Sequence, residues 1–379
     1  MKTIRIFGQP SWKFSSNRTD AAITRLGGQL APVNFQLGGR TVSPFSIAPW
    51  AEESLPTDTP ALLKALRGDF FCAPFGGNET PYRGENHPLH GEPASCDWSF
   101  VSLNRSPART TIHLAMKTNV REGTIDKWIQ LRADETNLYC RHTLSGLNGP
   151  MSLGHHAMLK FPAKEESGYI STSRLLHGAV APTFESPERG GYHSLKAGSS
   201  FRRLDRVPSI HGNPADLTRY PARAGFEDIV QLVHESQPDF AWTAVCFPVD
   251  RFVWFSLKDP RVLRSTVFWI SNGGRHYAPW NGRHRNVMGI EDVTSYFAQG
   301  LSESARPNPL SESGYPTVLK LQRRSPLNVN YIMGVAELPQ GFERVQSIVR
   351  QPGGILLKST AGHRLPVTVD YSFLSSSPL

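Results

Sequence analysis

Long apolar runs are missing from this sequence. No stretch approaches the ~18 consecutive apolar residues of a membrane-spanning helix. The opening MKTIRIFGQPSWKFSS lacks the apolar centre of a signal peptide. No membrane partner is expected, and a cytoplasmic location follows by default. Blocks of one charge are missing too. The 41 Lys and Arg outnumber the 32 Asp and Glu, for a net charge of +9, yet the arginines are scattered and form no basic tract. That argues against a nucleic-acid partner, and leaves open an arginine contact to a charged substrate. Cysteine is scarce. Cys72, Cys96, Cys140 and Cys246 make no Cys-x-x-Cys pair, so no zinc knuckle or redox motif is indicated and free thiols packed as small hydrophobes are expected. Also absent are a GxxxxGK(S/T) phosphate loop, a GxGxxG turn after a strand, an HExxH helix and a GxSxG elbow. No cofactor is expected. Acid–base chemistry by histidine and carboxylate remains the main enzymatic option.

What is present is period-two alternation of apolar and polar residues, the mark of half-buried strands. Thr110, Ile112, Leu114 and Met116 alternate with polar neighbours. Turns at Arg121-Glu122-Gly123 and Asp134-Glu135 divide 109–146 into a three-stranded meander. Further strands are predicted at 156–161, 240–248, 252–258, 265–271, 328–337 and 366–374, all rich in Val, Ile, Phe, Trp and Tyr. Helical signals are few: 59–66, which opens on Thr59-Pro60, then 292–301 and 342–349. With 32 Gly and 30 Pro to make turns, the 379 residues read as one all-β domain, a large antiparallel β-sandwich with few short helices. Residues 1–22 read as an N-terminal extension that is loosely tied down.

Long loops at the ends of a rigid sheet are where function concentrates. Three segments stand out: 67–98, 152–162 and 271–297. They hold six of the 13 histidines: His87, His90, His155, His156, His276 and His284. His87 and His90 with Glu85 and Glu92 offer a partial ligand set, but no third ligand has a characteristic spacing, so no metal is expected.

At these residues the sequence resembles the galactose mutarotase-like superfamily, which includes aldose 1-epimerases and hexose-6-phosphate mutarotases. Leu89-His90-Gly91 is similar to that family's His-Gly motif. His156, entering an apolar strand, resembles its second histidine. Gly289-Ile290-Glu291 before Asp292-Val293-Thr294 resembles its late glutamate motif. Arg67-Gly68-Asp69-Phe70 before Pro74-Phe75-Gly76 resembles a motif of the sugar-phosphate branch. The order histidine, histidine, aspartate, glutamate is met by His90, His156, Asp228 and Glu291 over about 200 residues.

The resemblance implies anomer interconversion of a small-molecule carbohydrate. A base takes the proton of the anomeric hydroxyl and an acid protonates the ring oxygen. The ring opens, rotates and closes on its other face. By resemblance His156 is the acid and Glu291 the base. His90 and Asp228 hold hydroxyls, with Glu227 the rival of Asp228, and Arg67 holds an oxygen-rich edge. Read from the residues alone, Trp280 or Phe75 should form an aromatic wall for a pyranose, and Arg283 should contact substrate. The competing reading of His156 is a buried structural histidine, and that of Glu291 a solvated turn residue. His155 should face away from His156, because strand side chains alternate. The expected geometry places His156 and Glu291 across an open cleft, several ångströms apart. Ala157 after the second histidine and Asp292 after the glutamate depart from the family pattern. They motivate a second reading, a non-catalytic carbohydrate-binding protein on the same fold.

Overall fold

The computed structural model describes residues 1–235 and 239–376. It is 48% strand and 7% helix, an all-β antiparallel sandwich. One large sheet has nine strands, in the spatial order Arg219–Tyr220, Gly168–Thr172, Ala241–Phe247, Phe252–Lys258, Leu327–Glu337, Asn137–Ser145, Gly123–Arg132, Arg109–Thr118 and Ser99–Arg105. The predicted meander makes up strands six to eight of this order, with every neighbouring pair antiparallel, and Ser99–Arg105 is added at its edge. The other large sheet runs Ser200–Phe201, Leu175–Val180, Phe226–His234, Ser265–Asn272, Val287–Thr294, Leu153–His155 and Phe71–Cys72, with Ala157–Lys160 also paired to Val287–Thr294.

The two inner faces form the main core. Ile112, Ile129, Trp254 and Met333 from the first sheet pack with Val230, Phe268, Met288 and Ile290 from the second. Alternation then sends Ile229, Val267, Trp269 and Val293 to the second sheet's other face. That face is apolar but carries a cleft, so it is where a ligand has room. The outer face of the nine-stranded sheet is covered by a three-stranded sheet, Val345–Gln351, Gly354–Ser359 and Arg364–Thr368. Its Ile348, Ile355 and Leu357 pack on Trp242, Phe255 and Ile332.

Several local expectations change. Residues 292–301 do not form a helix. Val287–Thr294 is a strand, and the short helix comes later, at Leu301–Ala305. Asp292 decides this, because its carboxylate is tied inside the sandwich to Lys258, Thr266, Ser256 and Tyr331. Residues 342–349 contribute the strand Val345–Gln351 instead of a helix, since Val345 and Ile348 are needed to cover the outer sheet face. The strand expected at 366–374 ends at Thr368 and gives way to a 3₁₀ turn, Tyr371–Ser375.

The N-terminal residues are not loose. Ile4–Ile6, Gln9–Ser15 and Thr19–Thr24 pair in a five-stranded sheet with Leu30–Leu37 and Arg40–Val42. Trp12 and Phe14 are buried in the main core. Trp12→Ala is therefore expected to cost about 3–5 kcal/mol. Chemical denaturation checks this, and an unchanged midpoint would restore the loose-extension reading.

Candidate active site

Two strands set the geometry. Gly154 pairs with Val293, and Ala157 pairs with Ile290. The same register puts His155 opposite Asp292 and His156 opposite Glu291. Side chains alternate, so one couple points into the sandwich and the other into the cleft. His155 donates or accepts at Nδ1 with Asp69, 2.9 Å away, and stacks on Tyr331. His156 and Glu291 line the cleft, with Nε2 and Oε1 standing 3.0 Å apart. Gly289 makes room for this contact, because a Cβ there would sit 2.6 Å from Glu291 Oε1.

His90 lies beside the couple, its ring 5.0 Å from that of His156 and edge-on to it. Its backbone is left-handed, φ 57°. Gly91 follows because a Cβ there would lie 2.2 Å from the Ala73 carbonyl oxygen. Nδ1 of His90 accepts the Gly76 N–H at 3.3 Å, so in the neutral ring the proton sits on Nε2. The cleft has a volume of about 980 Å³, at the upper end of ordinary ligand sites. Its far wall carries Arg275. The Arg275 Nε donates to Glu185 at 2.7 Å, and its guanidinium lies 4.4 Å from the Trp280 ring centroid. Trp269 sits between Arg275 and His156 and donates its Nε1–H to Glu227.

No protein-family model matches the chain, and no curated protein matches it. Solved structures do. A galactose mutarotase-like protein from Clostridium acetobutylicum superposes with a TM-score of 0.57 at 11% identity, over 89% of this chain and 98% of the other. A galactose mutarotase related enzyme from Lactobacillus acidophilus gives 0.54 at 12% identity, over 87% of this chain and 99% of the other. An aldose epimerase homologue from C. elegans gives 0.55 at 11%, over 87% and 100%. The fold is galactose mutarotase-like. Identities this low establish the fold and leave the chemistry to be argued from the residues.

Within this mutarotase-like fold, His90, His156 and Glu291 come together, while other expected residues go elsewhere. Arg67 does not reach the cleft. It is fully buried, and its guanidinium donates to the carbonyls of Ala65, Ile6 and Phe7, which ties down the N-terminal hairpin. Phe75 is not an open wall. It is fully buried behind the two histidines, 4.9 Å from the His90 ring. Arg283 is at the surface, paired with Glu53 at 2.6 Å. Asp228 borders the cleft, but both its oxygens are engaged: Oδ1 accepts the Ser194 and Leu195 N–H groups, and Oδ2 accepts the Ser194 hydroxyl. Its rival Glu227 shares the cleft-side strand face with Ile229 and Trp269, but it is fully buried beneath the cleft, accepting from Trp269, Ser271 and Gly274. Trp280 lines the cleft, but Arg275 covers its ring face. His156 and Glu291 are in contact and not separated by the width of a sugar, which corrects the expected gap. Residues facing each other across an antiparallel pair have Cβ atoms only ~5 Å apart.

Sequence reasoning missed Arg275, Glu185 and Trp269. Trp269 was accessible, since it occupies the alternate positions of a predicted strand. Arg275 stands in a singled-out loop without a motif of its own. Glu185 has no local signal at all.

Burial dominates the electrostatics. It pushes the Glu291 carboxyl well above the usual carboxylate range, with the Arg275 charge pulling the other way. Burial, reinforced by His90 and Arg275, pushes His156 well below the usual histidine value. His90 is pushed down to about 3, again by burial and then by Arg275. Desolvation raises Glu227 to about 7. The native state therefore favours protonated Glu291. Its contribution to stability is present below the unfolded-state value and is lost as pH rises through the folded-state value. Glu291→Gln should abolish that loss, so the melting temperature of the variant relative to wild type should climb as pH rises from about 4.5. Parallel thermal melts across pH test this, and a pH-independent difference would contradict it.

Proposed function

We propose that the protein is an aldose 1-epimerase-like enzyme that interconverts the anomers of a sugar. The contact between His156 Nε2 and Glu291 Oε1 inside the cleft, with His90 alongside, is the observation that supports this reading. The anomeric hydroxyl and the ring oxygen are bonded to the same carbon. An acid and a base that must reach both do not need to span the sugar. They can stand side by side and meet its C1 edge.

The couple holds one transferable proton in two forms. Either His156 is protonated and Glu291 ionised, or both are neutral. The proton count is the same. In ring opening from the ionised form, Glu291 takes the anomeric proton and His156 gives one to the ring oxygen. The open-chain aldehyde then faces the neutral form. After rotation about C1–C2, Glu291 protonates the aldehyde oxygen while His156 takes back the proton of the attacking hydroxyl, and the ring closes on its other face. Each form is used once per turnover, and burial supplies the neutral one at no cost in net charge. His90, with its proton on Nε2, donates to a sugar oxygen. Phe70 stacked on His156 at 4.4 Å holds the ring in place.

A non-catalytic sugar-binding protein is the second reading. The mutual contact of His156 Nε2 and Glu291 Oε1 favours it, because each of these atoms already faces the other and not an open space between them. It predicts sugar-dependent thermal stabilisation with no effect on rate.

Polarimetry or exchange NMR over a panel of aldoses separates the two. His156→Gln and Glu291→Gln should each lower kcat about 10²–10⁴-fold. Gly289→Ala should give a loss on the order of 10²-fold by displacing the carboxylate. Absence of accelerated anomerisation for every sugar would leave only the binding reading. The pH profile is a further check. Because buried His156 resists a second proton, the acid limb of kcat/KM should fall below pH 6.5, the ordinary histidine value. A limb centred at or above 6.5 would contradict the buried couple.

A further inference from the structure

Arg275 is the one cleft residue whose environment looks built for a ligand and whose role the acid–base scheme does not use. Its guanidinium is held on three sides. Nε donates to Glu185 at 2.7 Å, and the plane lies 4.4 Å from the Trp280 centroid, 5.0 Å from Phe184 and 5.3 Å from Trp269. Glu185 is itself fixed by the Tyr277 hydroxyl. Among the described residues, Nη1 and Nη2 have no protein hydrogen-bond partner, and the side chain borders the cleft. A flat fork with its orientation fixed and its two outer nitrogens free is suited to a pair of neighbouring oxygens. Trp269 links Arg275 to the reacting end, since its ring is also 5.7 Å from His156.

Resting on the reading of the site as a sugar cleft, we infer that Arg275 grips two adjacent hydroxyl oxygens of a neutral sugar, at the end of the ring remote from C1. Charge balance selects hydroxyls over a phosphate or carboxylate. The guanidinium is already compensated by Glu185, Glu303 on the rim is paired with Arg306 at 2.6 Å, and Glu79 on the same rim balances Arg189. An anion there would add an uncompensated charge, whereas a diol accepts two N–H bonds with none. Arg275 is thus a specificity-determining residue, and Glu185 a positioning residue that acts through it.

Arg275→Lys keeps the charge and loses the fork. The probes are D-glucose and D-galactose, their 3-deoxy and 4-deoxy analogues, and D-glucose 6-phosphate and D-glucuronate. They are followed by thermal stabilisation and by anomerisation. For the parent sugars, Arg275→Lys should weaken binding and raise KM about 10- to 100-fold, with kcat changed much less. At least one deoxy analogue should bind wild type and Arg275→Lys equally. Glu185→Gln should give the same pattern more weakly, and it stands in if Arg275→Lys fails to fold. Tighter binding of the phosphate or the uronate through Arg275 would overturn the inference. So would an equal loss for every sugar and analogue, or failure of every probe to stabilise the protein. Loss of stabilisation in Arg275→Lys with no anomerisation in wild type would uphold this inference and sink the enzymatic reading. Undiminished binding in Arg275→Lys with fast anomerisation would do the reverse.

Discussion

The antiparallel register between residues 153–160 and the strand Val287–Thr294 governs which ionisable groups meet. With Gly154 opposite Val293 and Ala157 opposite Ile290, two acid–histidine couples stand back to back in one sheet. One faces the sandwich interior and the other faces the cleft. A slip of one residue by Val287–Thr294 would turn Asp292 into the cleft against His156 and Glu291 into the sandwich. Register is therefore a chemical as well as a structural constraint here.

The interior couple opposes such a slip. Asp292 is buried with Lys258 at 2.6 Å and accepts from Thr266, Ser256 and Tyr331, while Lys258 also donates to the Ser265 carbonyl. Buried ion pairs contribute little net stability, but breaking one is costly because a charge is left without its partner. The network accepts a carboxylate only at position 292. The cleft couple is arranged differently. Aromatic rings surround it, Phe70 stacks under His156, and desolvation acts on both members. The same sheet thus holds one carboxyl below its usual pKa range by ion pairing and hydrogen bonds, and its neighbour above that range by burial. Neighbouring carboxyls pushed apart in this way are a recurrent arrangement at acid–base sites.

Much of the strand architecture was legible because side-chain alternation is a local property. The meander at 109–146 and the strands near 240–271 and 328–337 could be read from it to within a residue or two. Elements that depend on distant partners were not. Residues 345–351 are a strand because the outer sheet face needs a cover, and residues 4–24 are paired into a sheet because Trp12 and Phe14 find places in a core built mostly by later residues. Arg67 illustrates the same point for a side chain: its carbonyl partners Ile6 and Phe7 lie 61 and 60 residues away.

By itself, the sequence determined an all-β antiparallel chain, the opposite facing of His155 and His156, and a short set of histidines and carboxyls able to exchange protons. These follow from period-two patterning and residue chemistry, which need no knowledge of distant contacts. Tertiary structure alone decided that His156 and Glu291 touch, that Asp228 is spent on the Ser194–Leu195 backbone, and that Arg275 and not Arg67 or Arg283 borders the cleft. The reason is that cross-strand register and loop closure bring together residues far apart in the chain, and no local pattern encodes which of two equally plausible side chains arrives.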